Sequence, residues 1–175
     1  MISSKKTLFA VLTLGLAVLL PVFAHAEVLD PARLSIIQEH CTVLQTSLDQ
    51  VQRRDLVART NRGREYESTL AQLTAFNQRL QNNGRPVKTL DDTLNNFKTM
   101  VDDFRTNYIA YDNSMNDLRQ IDCRNHPADF ALALQRTAIL RAQVGAEVTK
   151  GEEYLGVYRQ TVVEMQKSLG QGSGQ

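Results

Sequence analysis

The chain has 175 residues, with 20 basic and 19 acidic side chains, two cysteines and no tryptophan. This length fits one ordinary domain. A formal charge of +1 excludes the strongly basic composition that is typical of nucleic-acid-binding domains, so we expect no nucleic-acid partner.

The first 26 residues have the three parts of a secretory signal peptide. MISSKK supplies two lysines, an apolar run covers residues 8–20, and Ala24-His25-Ala26 precedes Glu27. The run of 13 residues is shorter than the roughly 20 that a membrane-spanning helix needs. We therefore expect cleavage after Ala26, a periplasmic or secreted product, and no membrane span in the mature chain. The alternative is a leader that stays uncleaved as an anchor.

The first helix is expected over residues 32–82, because apolar residues recur there at steps of three and four and no run alternates as a strand would. The seam positions after Val51 are occupied by Asp55, Ala58 and Arg62, two of which are charged. The seam then resumes one residue late at Tyr66, which is the stutter that locally unwinds a supercoil. Gly63 lies at this shift, so the sequence predicts a continuous helix whose most probable bend is near residues 61–64.

The second helix is expected over residues 89–122, after the break at residues 82–84. Thr89 and Asp92 have the spacing of an N-terminal capping pair. Nine apolar residues then follow one another at a 4,3 spacing, which is typical of coiled-coil packing. They are Leu90, Leu94, Phe97, Val101, Phe104, Tyr108, Tyr111, Met115 and Leu118.

The third helix is expected over residues 128–169, where Pro127 suits the first turn, and residues 170–175 are expected to form a flexible tail. The two links between helices are short, and short links make neighbouring helices antiparallel. The sequence therefore predicts an all-α fold. Residues 27–169 would form one elongated antiparallel three-helix bundle with coiled-coil packing, preceded by a signal peptide.

The two cysteines test this topology. The first turn is centred near residue 85, so Cys41 and Cys123 are expected near the same end of the rod. In an oxidising compartment such a pair forms a disulfide. A zinc site with His40 and His126 is the alternative, but adjacent helical residues point about 100° apart, which disfavours it. We expect no metal and no cofactor.

The polar interruptions of the first and third helices are expected to meet in one layer. The candidate residues are Asp55, Arg62, Tyr108, Tyr111, Thr137 and Arg141. The favoured interpretation is structural: Asp55 pairs with Arg62 or Arg141, a tyrosine hydroxyl completes the layer, and the helices are held in register. The alternative is a pocket whose guanidinium groups bind a carboxylate, a phosphate or a glycan acid. The remaining arginines of this stretch are expected to form a solvated face: Arg53, Arg54, Arg59 and Arg64.

Catalytic motifs are absent from the sequence, so an enzyme is not expected. We expect a non-enzymatic exported protein that acts through protein–protein interaction, as a spacer, an adaptor or a holdase-like chaperone. Its partners would be other envelope or extracellular proteins, and a homo-oligomer is compatible with the sequence. The alternative function is a sensor bundle that binds a small molecule or an anion, with its ligand layer around Asp55, Arg62, Tyr108 and Arg141.

In general outline the chain resembles the small exported coiled-coil proteins of bacterial envelopes. Periplasmic holdase chaperones of the Skp type share the signal peptide and the long helices. They also contain a small β-rich trimerisation body, and the present sequence predicts no strands that could form one. The resemblance therefore implies a compartment and a general shape, and no functional residue is carried over from it.

The signal peptide leads to the first testable prediction. Protein recovered from outside the cytoplasm should begin at Glu27, because the small residues at Ala24 and Ala26 suit the signal peptidase. Intact mass and N-terminal sequencing measure this directly. Full-length protein that begins at Met1 and is recovered from membranes would contradict it.

Overall fold

The computed structural model describes residues 30–171, which form an all-helical bundle and contain no strand. Its helices are α1 (Pro31–Glu39), α2 (Cys41–Asn82), α3 (Lys88–Gln120) and α4 (Pro127–Gln171). The all-α fold class is confirmed. The described range contains four helices rather than three, since short α1 precedes three long ones. The predicted signal peptide and residues 172–175 of the predicted tail lie outside the described residues, whereas residues 170–171 belong to α4.

The first predicted helix is interrupted at His40, and it is helical without a break through residues 61–64. His40 has φ −102° and ψ 13°, although its amide still bonds to the Ile36 carbonyl at 3.0 Å. This residue immediately precedes Cys41, which is bonded to Cys123, while α1 packs against α4. Gly63 causes no break because one glycine costs only about 1 kcal/mol in a helix, which a helix of 42 residues tolerates.

The predicted capping role of Thr89 was also wrong. Helix α3 begins at Lys88, its N-cap residue is Val87, and no side chain caps it. Lys88 instead forms a salt bridge of 2.7 Å with Asp92, one turn further along. The helix starts earlier because Val87 is buried against the core, and burial of an apolar side chain outweighs one capping hydrogen bond.

The turn between α2 and α3 depends on Gly84. Its φ is +67°, a left-handed conformation that only glycine adopts without steric cost. The Arg85 amide bonds to the Leu80 carbonyl at 3.0 Å, and the Gly84 amide bonds to the Gln81 carbonyl at 2.9 Å. These two bonds form a Schellman motif, which satisfies carbonyl groups at the end of α2.

Helix α3 contributes most of the core. Eight of the nine residues of its predicted seam are buried, and Leu94 is half-buried. Residues later in α2 contact residues earlier in α3, and the same holds for α3 and α4. Successive long helices are therefore antiparallel. Helices α3 and α4 pack most closely, whereas α2 and α4 meet chiefly through side chains. With 45 residues, α4 is about 68 Å long.

Cys41 and Cys123 form the predicted disulfide at one end of the bundle. Their Sγ atoms are 1.94 Å apart and their Cα atoms 5.5 Å apart. Within residues 30–171 no group of three or more His, Cys, Asp or Glu side chains is arranged to hold a metal ion. None of the helices in that range has the length and apolar content needed to cross a membrane.

Two glycine substitutions test this description of α2 and its turn. Gly63→Ala should raise the free energy of unfolding by up to about 1 kcal/mol, because alanine favours a helix and a Cβ atom there meets nothing within 4 Å. Gly84→Ala should lower it by about 1–2 kcal/mol, because alanine is strained at positive φ. Urea unfolding of both variants measures the difference. A loss of stability in Gly63→Ala would mean that α2 does not run straight through this residue.

Candidate functional site

The carboxylate of Asp55 is contacted by α3 and α4 at once. Arg141 donates two hydrogen bonds to it, from Nε to Oδ2 at 2.7 Å and from Nη2 to Oδ1 at 3.0 Å. The Tyr111 hydroxyl donates to Oδ2 at 2.6 Å. Of the two partners proposed from the sequence, the structure therefore selects Arg141, and the tyrosine is Tyr111. One carboxylate joins three helices.

Burial and hydrogen bonding compete in setting the pKa of Asp55. Burial raises the pKa of this carboxyl group, but the hydrogen bonds from Arg141 and Tyr111 outweigh that effect and hold the pKa below its ordinary value. Burial, followed by the bond to Asp55, raises the pKa of Tyr111. The cluster is therefore an ionised carboxylate, a protonated phenol and a guanidinium at neutral pH.

Thr137 does not join the Asp55 cluster, although the sequence placed it in the same layer. Its hydroxyl lies 2.8 Å from the Ser114 hydroxyl and also donates to the Ala133 carbonyl at 2.8 Å. Both side chains are buried between α3 and α4. Thr137 lies one turn before Arg141 on α4, so its polar contact belongs to the neighbouring layer of the bundle.

Arg59 does not belong to the solvated face predicted for it, whereas Arg53, Arg54 and Arg64 are exposed. Its side chain is half-buried, and its guanidinium carbon lies 4.7 Å from the centre of the Tyr108 ring. This stacking is a cation–π contact. Within the described part of the chain, Arg59 has no hydrogen bond and no ion pair.

Arg62 is half-buried and faces α4 rather than Asp55. Its Nη1 atom lies 3.8 Å from Oε1 of Glu152, whose side chain is 72% exposed. That distance is longer than a hydrogen bond, and the Tyr66 hydroxyl also lies beside the Arg62 guanidinium, whose pKa it raises. The sequence was right that Arg62 turns towards the bundle, but it does not pair with Asp55.

A cavity of about 290 Å³ lies between the three long helices beside this cluster. Each helix contributes one face to it, at the i, i+3, i+4 spacing that places side chains together. The lining residues are Asp55, Ala58, Arg59, Arg62, Phe104, Tyr108, Tyr111, Arg141, Val144, Gly145 and Val148. Five of the six residues proposed from the sequence line this cavity, and Thr137 does not.

Tyr108 forms part of the cavity wall and is 2% exposed. Its hydroxyl is buried and has no hydrogen-bond partner among residues 30–171. Burial, followed by the nearby charge of Asp112, raises the pKa of Tyr108, so the phenol is neutral. The cavity wall thus combines neutral aromatic rings with arginine side chains.

Asn77 forms a second three-helix junction that the sequence reasoning missed. Its amide donates to Oδ1 of Asp91 at 2.7 Å, and it accepts a hydrogen bond from the Tyr158 hydroxyl. Burial, followed by the charge of Asp91, raises the pKa of Tyr158 to about 12. The sequence does indicate this junction, because Asn77 is a polar residue at the seam position between Leu73 and Leu80, as Asp55 is after Val51.

Comparison with known proteins adds no relative. No family model matches the chain, and neither a curated protein nor a solved structure matches it. The function has to be inferred from the residues of the cavity and from the surface of the bundle.

The Asp55 cluster predicts a pH-dependent loss of stability in Arg141→Ala. The pKa of Asp55 is depressed in the folded state, so its contribution to stability is present above the ordinary pKa of 3.8 and is lost as pH falls through the folded value. At about pH 7 the free energy of unfolding of the variant should be about 1 kcal/mol lower than that of the wild type. This is less than a fully buried charged hydrogen bond contributes, because the Arg141 side chain is 52% exposed.

The control for this measurement is Arg136→Ala, an exposed arginine on the same helix, which should unfold like the wild type. The gap between wild type and Arg141→Ala should narrow as the pH is lowered from about 5 to about 2, where Asp55 is protonated in both proteins. A gap that stays constant over this range would show that Arg141 acts through packing rather than through the carboxylate.

Proposed function

We propose that this protein is a non-enzymatic binding protein of the envelope or the extracellular space, and that it binds an anionic small molecule in the cavity between α2, α3 and α4. The observation that carries this proposal is Arg59. Arg59 lines the cavity as a half-buried residue, its guanidinium is stacked on Tyr108, and it has no hydrogen-bond acceptor among the described residues. A bound anion would supply that acceptor.

The cavity arginines separate this proposal from a purely structural layer. In a structural layer each buried charge has its partner, as Asp55 and Arg141 have. Arg59 lines the same cavity without such a bond, whereas Arg62 has Glu152 at 3.8 Å and the Tyr66 hydroxyl beside it. The Arg59 nitrogens are not among the fully buried polar atoms of the described residues, so water reaches them, and an anionic ligand would replace that water with a charged hydrogen bond. That arrangement is easier to understand if a ligand completes it.

Export is part of the same proposal. The leader of residues 1–26 and the Cys41–Cys123 bond both suit an oxidising compartment outside the cytoplasm. The unbroken 4,3 spacing of α3 supports coiled-coil packing of the long helices. A stiff, cross-linked bundle of this kind would present its cavity to the periplasm or the medium.

A second candidate is the spacer, adaptor or holdase role that was inferred first from the sequence. Exposed large apolar side chains favour it, since they could contact other proteins. They are Ile36, Val43, Leu56, Val57, Ile109, Leu132, Ile139, Val157 and Val163. They are distributed over all four helices, and none of them lines the cavity.

The proposed function predicts a ligand-dependent melting temperature. Thermal melts of the mature, oxidised protein should be recorded against a panel of anionic metabolites and acidic envelope glycans at constant ionic strength. A ligand that binds only the folded state raises the melting temperature with its concentration. Arg59→Gln should lose most of that response because the variant lacks the charged donor group.

Arg53→Gln is the matched control, since Arg53 is an exposed arginine of the same helix and does not line the cavity. It should respond to the ligand as the wild type does. An equal loss in both variants would indicate non-specific attraction by positive charge. If no anion shifts the melting temperature, ligand binding in the cavity is contradicted, and capture of protein partners by the immobilised mature protein tests the second candidate.

A further inference from the structure

The charges of the cavity point to a ligand with a single negative charge. Three arginines and one aspartate line it, a formal charge of +2. Asp55 and Arg141 neutralise each other through two hydrogen bonds. Of the two remaining arginines, Arg62 has Glu152 within 3.8 Å, which offsets part of its charge. A net charge of about +1, centred on Arg59, therefore remains to be balanced by a ligand. A polyanion such as a nucleotide carries more negative charge than this.

The other walls of the cavity are apolar. Helix α4 contributes Val144 and Val148, and helix α3 contributes the rings of Phe104, Tyr108 and Tyr111. A small hydrophilic ion would leave these surfaces without contact, whereas an apolar group would remove them from water. The volume of about 290 Å³ is many times the roughly 10–15 Å³ that one water molecule needs in the same measure, so a small organic molecule fits.

Gly145 keeps part of this space open. It lies on the cavity face of α4, one residue after Val144 and one turn after Arg141, and a Cβ atom added to it would meet nothing within 4 Å. Ala58 is the corresponding small residue of the α2 wall. Gly145 is exposed and lines the cavity, so a larger side chain at this position would stand at the α4 edge of the cavity and narrow it.

We infer that the ligand is a compact amphipathic monoanion, with a carboxylate or similar acidic group held by Arg59 and Arg62 and an apolar body packed against Phe104 and Val148. This inference rests on the proposed function and adds the chemical class of the ligand. The Asp55–Arg141 pair forms a wall of the cavity and does not bind the acidic group, because each of its charges already has its partner. Gly145 is the residue that sets the size of the ligand.

The test uses the mature, oxidised protein and small probes in isothermal titration calorimetry. Phenylacetate and hexanoate combine one carboxylate with an apolar body, acetate lacks the body, phenylacetamide lacks the charge, and inorganic phosphate is a hydrophilic anion. At least one of phenylacetate and hexanoate should bind roughly tenfold or more tightly than acetate, phosphate and phenylacetamide, because only these two probes use both parts of the cavity.

Substitutions at position 145 should weaken the binding of that probe in order of size. Gly145→Ala should have a small effect on binding, and Gly145→Leu should weaken binding roughly tenfold or more. The melting temperature of Gly145→Leu without a probe should stay at or above that of the wild type. Gly156→Leu is the matched control, because Gly156 lies on the same helix, has equal space around it and does not line the cavity. It should bind the probe as the wild type does.

Two results would overturn the inference and leave the proposed function in place. In the first, acetate or phosphate binds as tightly as the amphipathic probes and Gly145→Leu has no effect. In the second, neither amphipathic probe binds, although some other anion raises the melting temperature in an Arg59-dependent manner. If neither probe binds and no anion shifts the melting temperature, the inference and the proposed function both fail.

Discussion

The hydrogen-bonded carboxylate of Asp55 holds the middle of the bundle together. Helices α2 and α4 meet there through long side chains rather than through close backbone contact, and the Arg141–Asp55 pair spans the gap between them. A half-buried carboxylate is tolerated only when its hydrogen bonds are made. The pair therefore links the two helices at this level, and the hydrogen bond from the Tyr111 hydroxyl links both to α3. Beside this pair the lining residues Ala58 and Gly145 are small, and the gap between the two helices remains open there as a cavity.

Among the links that hold α2 against the closely packed pair of α3 and α4 are the disulfide at Cys41, the cluster at Asp55 and the junction at Asn77. At 1.5 Å per residue they lie about 21 Å and about 33 Å apart along α2. The cavity lies between the second and the third. Its walls are consequently held in place before any ligand arrives, which lowers the entropic cost of binding. In this bundle the long polar side chains of the Asp55 cluster thus hold the helices apart, and the small residues Ala58 and Gly145 beside the cluster leave the cavity open.

Much of the fold could be predicted because it depends on local periodicity. The 4,3 spacing of α3 identified its buried face, and the short links identified the antiparallel order that brings Cys41 to Cys123. Counting residues from the turns also placed the layer of Asp55 and Arg62 beside the part of the other two helices that contains Tyr111 and Arg141. The kink at His40 and the start of α3 at Lys88 could not be predicted in this way, because both depend on how a helix end packs against a distant part of the chain.

By itself, the sequence determined the all-helical class, the cysteine pairing and the level at which the polar residues of different helices meet. All three follow from the helical rise per residue and the lengths of the links. Only the tertiary structure decided that Asp55 pairs with Arg141 rather than Arg62, and that Arg59 stacks on Tyr108 instead of facing water. Those choices depend on differences of a few ångströms in helix separation and on rotation about each helix axis. Helix separation is set by the side chains of all three helices together. It therefore cannot be predicted from the apolar repeat of one helix.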